Sequence, residues 1–173
     1  MEVKDAIIKR KSIRKYKDLE IPKDLINEIL DAARLSPSAY NAQPWKFKII
    51  NDKNVIKKLK KNNVFKNEFV YTAPLIIVCC GDTTCYPERA KENFELKDLS
   101  LIDVTIACQS LILRATDLGL GTCYVGLIDR NKLKKILNIS KNYIISYVIT
   151  VGYPDLSEEL GITTRKKLND IIL

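Results

Sequence analysis

Residues 99–126 read LSLIDVTIACQSLILRATDLGLGTCYVG. Leu101, Ile102, Val104, Ala107, Cys108, Leu111, Ile112, Ala115 and Leu118 recur there without an intervening proline or glycine, which predicts a helix over 99–118. Its apolar residues occupy most of the circumference, as in a helix buried at the centre of a domain or at a subunit interface. Gly119 ends it. Gly119, Gly121 and Gly126 then let the backbone pass close to another surface and present N–H groups without side-chain obstruction. The same strip also reads as a helix C-cap followed by a bulged strand. It is not a GxGxxG fingerprint, because it leaves a helix instead of opening one.

Upstream, the spacing predicts a short helix over 3–10, with Val3, Ala6 and Ile7 on one side, and extended chain over 12–16. An amphipathic helix over 22–35 is opened by Pro22 and closed where Ser36 precedes Pro37. A loop spans Pro37 to Pro44, and Trp45, Phe47 and Ile49 then alternate with Lys46 and Lys48 as a half-buried strand. Residues 52–61 predict a very basic helix and 74–80 a buried strand ended by Gly81, while 82–97, without periodicity, read as a loop or lid. Downstream, Asp129 caps a helix to Leu137, and 143–151 is another buried strand. Helices interleaved with about four strands make a layered α/β or α+β domain. No linker or repeat divides the chain, so 1–173 reads as a single domain.

Composition narrows the chemistry. With no histidine among 173 residues there is no Ser-His-Asp triad, no Cys-His dyad and no His-ligated metal site, so a borrowed cofactor is the obvious source of reactivity. The net charge of +8, from 29 Lys+Arg against 21 Asp+Glu, favours anionic partners. Cys79, Cys80, Cys85, Cys108 and Cys123 form an odd set without CxxC spacing and read as reduced thiols. The charged start argues against a signal peptide, and the longest apolar run, 73–80, is too short to span a bilayer. The expectation is a cytoplasmic protein with no membrane partner.

Four constellations could carry a function. Arg10, Lys11, Ser12 and Arg14 put three cations and a hydroxyl within five residues, a possible phosphate cradle, although a run this short is more often a solvated face. Residues 37–45, PSAYNAQPW, hold a hydroxyl and two carboxamides between prolines, and amides can read the alternating donor–acceptor edge of a planar heterocycle. A rigid turn with capped amides is the competing reading. The glycine strip 119–126 is the third, and the cationic cluster 163–167, TTRKK, is the fourth.

In this order and spacing the four resemble the nitroreductase-like family of FMN-dependent NAD(P)H oxidoreductases, over nearly the whole chain. RKSIRKY is similar to the family's opening basic motif, PSAYNAQPW to its flavin loop, residues 103–126 to its central dimer helix and glycine loop, and TRKKL to its last phosphate contact. The resemblance implies an α+β fold, with a central, mostly antiparallel sheet bearing helices on both faces, and an intertwined homodimer with FMN at the subunit interface. It implies that Arg10, Ser12 and Arg14 hold the FMN phosphate and ribityl side, with Lys11 nearby and Arg165 assisting. The loop residues Pro37, Ser38, Ala39, Asn41 and Gln43 would reach the ring from the other subunit. Backbone at Cys123, Tyr124, Val125 and Gly126 would approach its C4 oxygen and N5 edge. The implied reaction is a ping-pong transfer of hydride from NAD(P)H to flavin N5 and on to a small-molecule acceptor such as a nitroaromatic or quinone. It needs positioning and no catalytic side chain or metal. The chain departs from the family pattern at Thr163, where a lysine often stands two residues before the final arginine, and in lacking the lid helices of larger members.

Two further readings stay open. One is a specialised member of the same superfamily, for reductive dehalogenation or oxygen-dependent flavin chemistry. The other is a basic nucleic-acid-binding module, suggested by Lys57, Lys58, Lys60, Lys61 and Lys66. Those lysines lack interleaved aromatic residues, so a solvated helix face is expected and no nucleic-acid partner.

Overall fold

The chain's most continuous apolar run becomes an inner strand, because only a strand covered on both faces buries every residue of such a run. The computed structural model describes residues 1–155 and 163–173. In chain order it contains α1 (Val3–Lys9), α2 (Lys23–Arg34), β1 (Trp45–Ile50), α3 (Lys53–Lys61), β2 (Leu75–Asp82), α4 (Glu88–Lys91), α5 (Leu96–Asp117), β3 (Gly121–Val125), α6 (Arg130–Leu137) and β4 (Tyr143–Gly152). The strands form an antiparallel sheet in the order β1-β2-β4-β3, and the fold is α+β.

Period-two alternation along β2 builds two cores. Leu75, Ile77 and Cys79 face α2 and α5, packing with Ile29, Ala33, Ala107, Leu111 and Ala115. Ile76, Val78 and Cys80 face the opposite way, towards Leu59 of α3 and Leu133 of α6. Helices therefore cover both faces of the sheet. Between Cys79 and Cys80 the pairing jumps from Tyr147 to Ile145, so Ser146 is an extra residue in β4. Arg130 holds that bulge by donating to the carbonyls of Ile145 (3.0 Å) and Ser146 (3.1 Å).

Local signals explain the helix ends. Asp52 accepts from Asn54 N at 2.7 Å and Asp129 from Lys132 N at 3.0 Å, each satisfying a donor that a helix start leaves orphaned. Gly119 sits at φ +74° just past α5, where a Cβ would be strained. Trp45 is core packing at 9% exposure.

Several boundaries differ from expectation. β2 does not stop at Gly81 but runs through it to Asp82; the Ser100 side chain lies so close to Gly81 that a Cβ there would meet its Oγ at 1.9 Å. Residues 82–97 are not a featureless loop. They hold a 3-10 turn at Thr83–Cys85, helix α4 and the first residues of α5, which begins at Leu96. Tyr86, Ala90 and Leu99 tie them to a small cluster flanked by Ala39 and Ala42. In α1 only Ala6 is buried, whereas Val3 and Ile7 are exposed. The bulge lies in β4, while β3 pairs in unbroken register. By length and composition α5 could cross a membrane, but here it is the core helix of the sheet.

Candidate active site

The basic segment after α1 is held against the sheet edge by backbone and by one tyrosine. Ile13 N donates to Thr122 O at 2.9 Å, and Ser12 forms a parallel bridge with Thr122. Tyr16 folds back so that its hydroxyl donates to Ile13 O (2.5 Å) and lies 2.7 Å from Thr150 Oγ1. Burial holds that phenol well above its ordinary pKa, so it remains a donor. The clamp leaves Lys11, Ser12 and Arg14 exposed and Arg10 half-buried beside β3, while Ile13 points inward. Among the described residues Arg10, Lys11 and Arg14 form no ion pair; Arg14 rests over the Phe69 ring at 6.0 Å and reaches Ser12 O only at 3.5 Å. Unneutralised guanidinium groups beside exposed backbone make an anion cradle.

Cys123 lies within this cradle. Burial pushes its thiol up, and the charges of Arg14 and Arg10 act in the opposite direction without reversing the shift. A thiol held protonated is a poor nucleophile. Next to it, Tyr124 is partly exposed with its ring 5.4 Å from Tyr147, and Val125 is buried. Gly126 is exposed, and a Cβ built on it would meet nothing within 4 Å.

The amide loop is strained. Tyr40, Asn41 and Gln43 have φ of +54°, +53° and +48°, so this one turn holds three of the five left-handed non-glycine residues among the described residues. Its side chains fasten it from within. Ser38 Oγ accepts from Gln43 N at 2.9 Å, and Gln43 Nε2 donates to Asn41 O at 3.3 Å and to Asn41 Oδ1 at 3.2 Å. Pro37, Asn41 and Gln43 are exposed and Ser38 and Ala39 half-buried.

Asp103 anchors the loop, a role the sequence reading missed. This carboxyl on α5 is 3% exposed and accepts from Ala39 N at 3.1 and 3.2 Å and from Tyr86 Oη at 2.7 Å. Burial, and then this bond, raise the Tyr86 pKa far above its ordinary value. An acid on the buried side of an otherwise apolar helix was the available signal.

The structure thus joins Arg10, Lys11, Ser12 and Arg14 with Cys123–Gly126 at one sheet edge. Within the single chain, no hydrogen bond or ion pair among the described residues links the 37–43 loop to them. Arg165 is exposed in the C-terminal tail, where its guanidinium donates to Thr164 O at 3.0 Å. No cluster of metal-ligating side chains occurs among the described residues.

Comparison with known proteins gives these features a context. The model of the Nitroreductase family matches residues 7–64 and 60–153. The chain belongs to the nitroreductase family. A provisionally named NADH dehydrogenase/NAD(P)H nitroreductase of Methanothermobacter thermautotrophicus is 35% identical over 158 residues, covering 89% of this chain and 78% of the relative. A nitroreductase family protein from Clostridium difficile superposes with a TM-score of 0.85 at 29% identity, covering 100% of this chain and 98% of its own. A nitroreductase from Exiguobacterium sibiricum solved in complex with FMN shares the fold, with a TM-score of 0.84 at 24% identity, covering 99% and 96% of the two chains.

Proposed function

We propose that this nitroreductase-family protein is an NAD(P)H-dependent oxidoreductase that holds FMN between two copies of the chain and reduces a small oxidised acceptor. The observation that carries the reading is the cradle: cations at 10–14 without ion pairs among the described residues, clamped by Tyr16 against a strand whose continuation at Gly126 is bare backbone. These residues fit a phosphorylated planar cofactor. The guanidinium forks of Arg10 and Arg14 and the Ser12 hydroxyl match phosphate oxygens. Gly126 leaves room for a ring to approach the main chain, and the 37–43 loop offers carboxamides for its edge. Bound there, FMN would supply two-electron redox chemistry between a nicotinamide and the acceptor. The protein's own part is to neutralise the phosphate, fix the ring against β3 and keep Cys123 protonated. Five free cysteines agree with a reducing, cytoplasmic setting.

The dimer reading is supported by surface that one chain leaves uncovered. Val3, Ile7 and Ile8 on α1, Ile102 and Ile106 on α5, and Leu168, Ile171 and Ile172 in the tail are all exposed. Obligate homodimer interfaces resemble a core cut in half, and these side chains are of that kind. Light scattering should return twice 19.8 kDa; a folded, flavin-loaded species of 19.8 kDa would contradict the shared site.

Arg10→Ala should lower FMN affinity by about tenfold or more, whereas Lys23→Ala, which removes an exposed charge on α2, should not change it. A charge-assisted hydrogen bond of about 1.5–3 kcal/mol is lost only at Arg10. Flavin retained after gel filtration reads the difference, and equal retention would remove Arg10 from the phosphate site.

A further inference from the structure

The basic surface expected to be a solvated helix face is more organised than that. Residues 52–68 and 129–141 together carry eleven cations and three acids, a net +8 equal to that of the entire chain; the remaining residues carry eighteen of each sign. The fold makes these two segments one surface. Phe65 bridges Ile128, Asp129 N donates to Val64 O at 2.8 Å, Lys66 N to Leu127 O at 3.2 Å, and Lys132 Nζ to Asn62 O at 3.2 Å. Lys53, paired with Asp18 from outside the two segments, Lys60, with Glu68, and Lys132, with Asp129, are the partly neutralised members. Lys58, Lys61, Lys66, Lys135 and Lys141 are exposed and form no ion pair among the described residues. The inner edge of the surface, Leu127, is an exposed apolar residue directly after Gly126.

We infer that the α3–α6 surface docks an acidic electron-carrier protein beside the flavin site. The choice of a redox partner rests on the flavin reading; the choice of a protein over nucleic acid rests on the surface. Its one guanidinium, Arg130, is committed to the β4 carbonyls, and its aromatic rings, Phe65 and Tyr71, are wholly or partly buried, so it offers neither phosphate forks nor stacking platforms. Mobile lysine point charges around a small apolar edge suit a transient encounter steered by opposite charge. Two one-electron carriers, each oxidised by one electron, would deliver the pair that one NAD(P)H delivers as hydride, with the protons drawn from water.

The test is calorimetric titration of FMN-loaded protein with an acidic plant-type ferredoxin at low and high salt. It compares the wild type, the triple variant Lys58→Glu/Lys61→Glu/Lys135→Glu, and a charge-matched control, Lys17→Glu/Lys23→Glu/Lys97→Glu. We expect salt-sensitive binding that weakens about tenfold or more in the first variant and much less in the control. Equal weakening in both, no binding by the wild type, or a short DNA duplex outcompeting ferredoxin at equal ionic strength would overturn the assignment. Bleaching by NAD(P)H is recorded on the same samples: a protein that docks ferredoxin but takes no electrons from nicotinamide contradicts the flavin reading, not the docking surface.

Discussion

Gly121→Ala should cost both stability and FMN. A Cβ at this position would lie 2.6 Å from Ile13 Cγ1, 2.8 Å from its Cβ and 2.9 Å from its Cγ2. Ile13 is buried, β-branched and tied through its N–H to Thr122, so it has little room to yield. Overpacking of this kind costs about 1–3 kcal/mol, and relief can come only by pushing the Ser12–Arg14 segment off the strand. The expected outcome is a melting temperature lower by roughly 5–10 °C and an FMN affinity down by about tenfold or more. Gly126→Ala gives the contrast. Its Cβ meets open space within the chain, so stability should hold within about 0.5 kcal/mol while flavin retention falls. Gly121→Ala protein with wild-type melting and full flavin would show that the close approach of Ile13 does not position the cradle.

Asp103→Ala should be comparably damaging by a different route. It removes the acceptor of the Ala39 N–H and the Tyr86 hydroxyl together, leaving two donors unpaired at about 1–3 kcal/mol each. Among the described residues the 37–43 loop, with its left-handed residues, then keeps its internal hydrogen bonds and the packing of Ala39 and Ala42, and its strain favours another conformation. A melting temperature lower by roughly 5–15 °C and increased protease sensitivity around residue 40 are expected. Asp103→Asn keeps an acceptor oxygen and should recover a good part of the loss. Tyr86→Phe should give the smaller effect, since one carboxyl bond remains. A thermal scan with limited proteolysis separates the three; indistinguishable melting of Asp103→Ala and wild type would mean that the carboxyl does not hold the loop.

The contrast between these residues and the rest of the chain shows what a linear pattern can carry. Asp52 and Asp129 as caps, Gly119 as a stop, the alternation of Trp45, Phe47 and Ile49, and the buried run before Gly81 are local features, and each is decided within a few residues of itself. The cradle segment was legible for a similar reason, as a dense run of Arg10, Lys11, Ser12 and Arg14. What could not be read depends on distant packing. Gly121 looked like a backbone-exposing glycine and is instead the seat of Ile13, more than a hundred residues earlier. Tyr86 lay in a stretch without periodicity because its order comes from Leu99 and Asp103 on α5, not from its neighbours in sequence. The left-handed turns at Tyr40 and Gln43 carry no glycine to announce them. Exposed Ile7 and Ile102 obey helical spacing perfectly well, but spacing cannot say whether a stripe meets its own sheet or another chain.

The central claim, that this chain uses bound flavin to take electrons from a nicotinamide, has a direct optical test. The protein is loaded with FMN, freed of excess, made anaerobic and mixed with NADH or NADPH while the flavin's visible absorption is followed. The account predicts full bleaching by at least one of them within the dead time to seconds, and recovery of colour when a quinone or nitroaromatic is added. Flavin that stays bound and yellow in excess of both nicotinamides would contradict it.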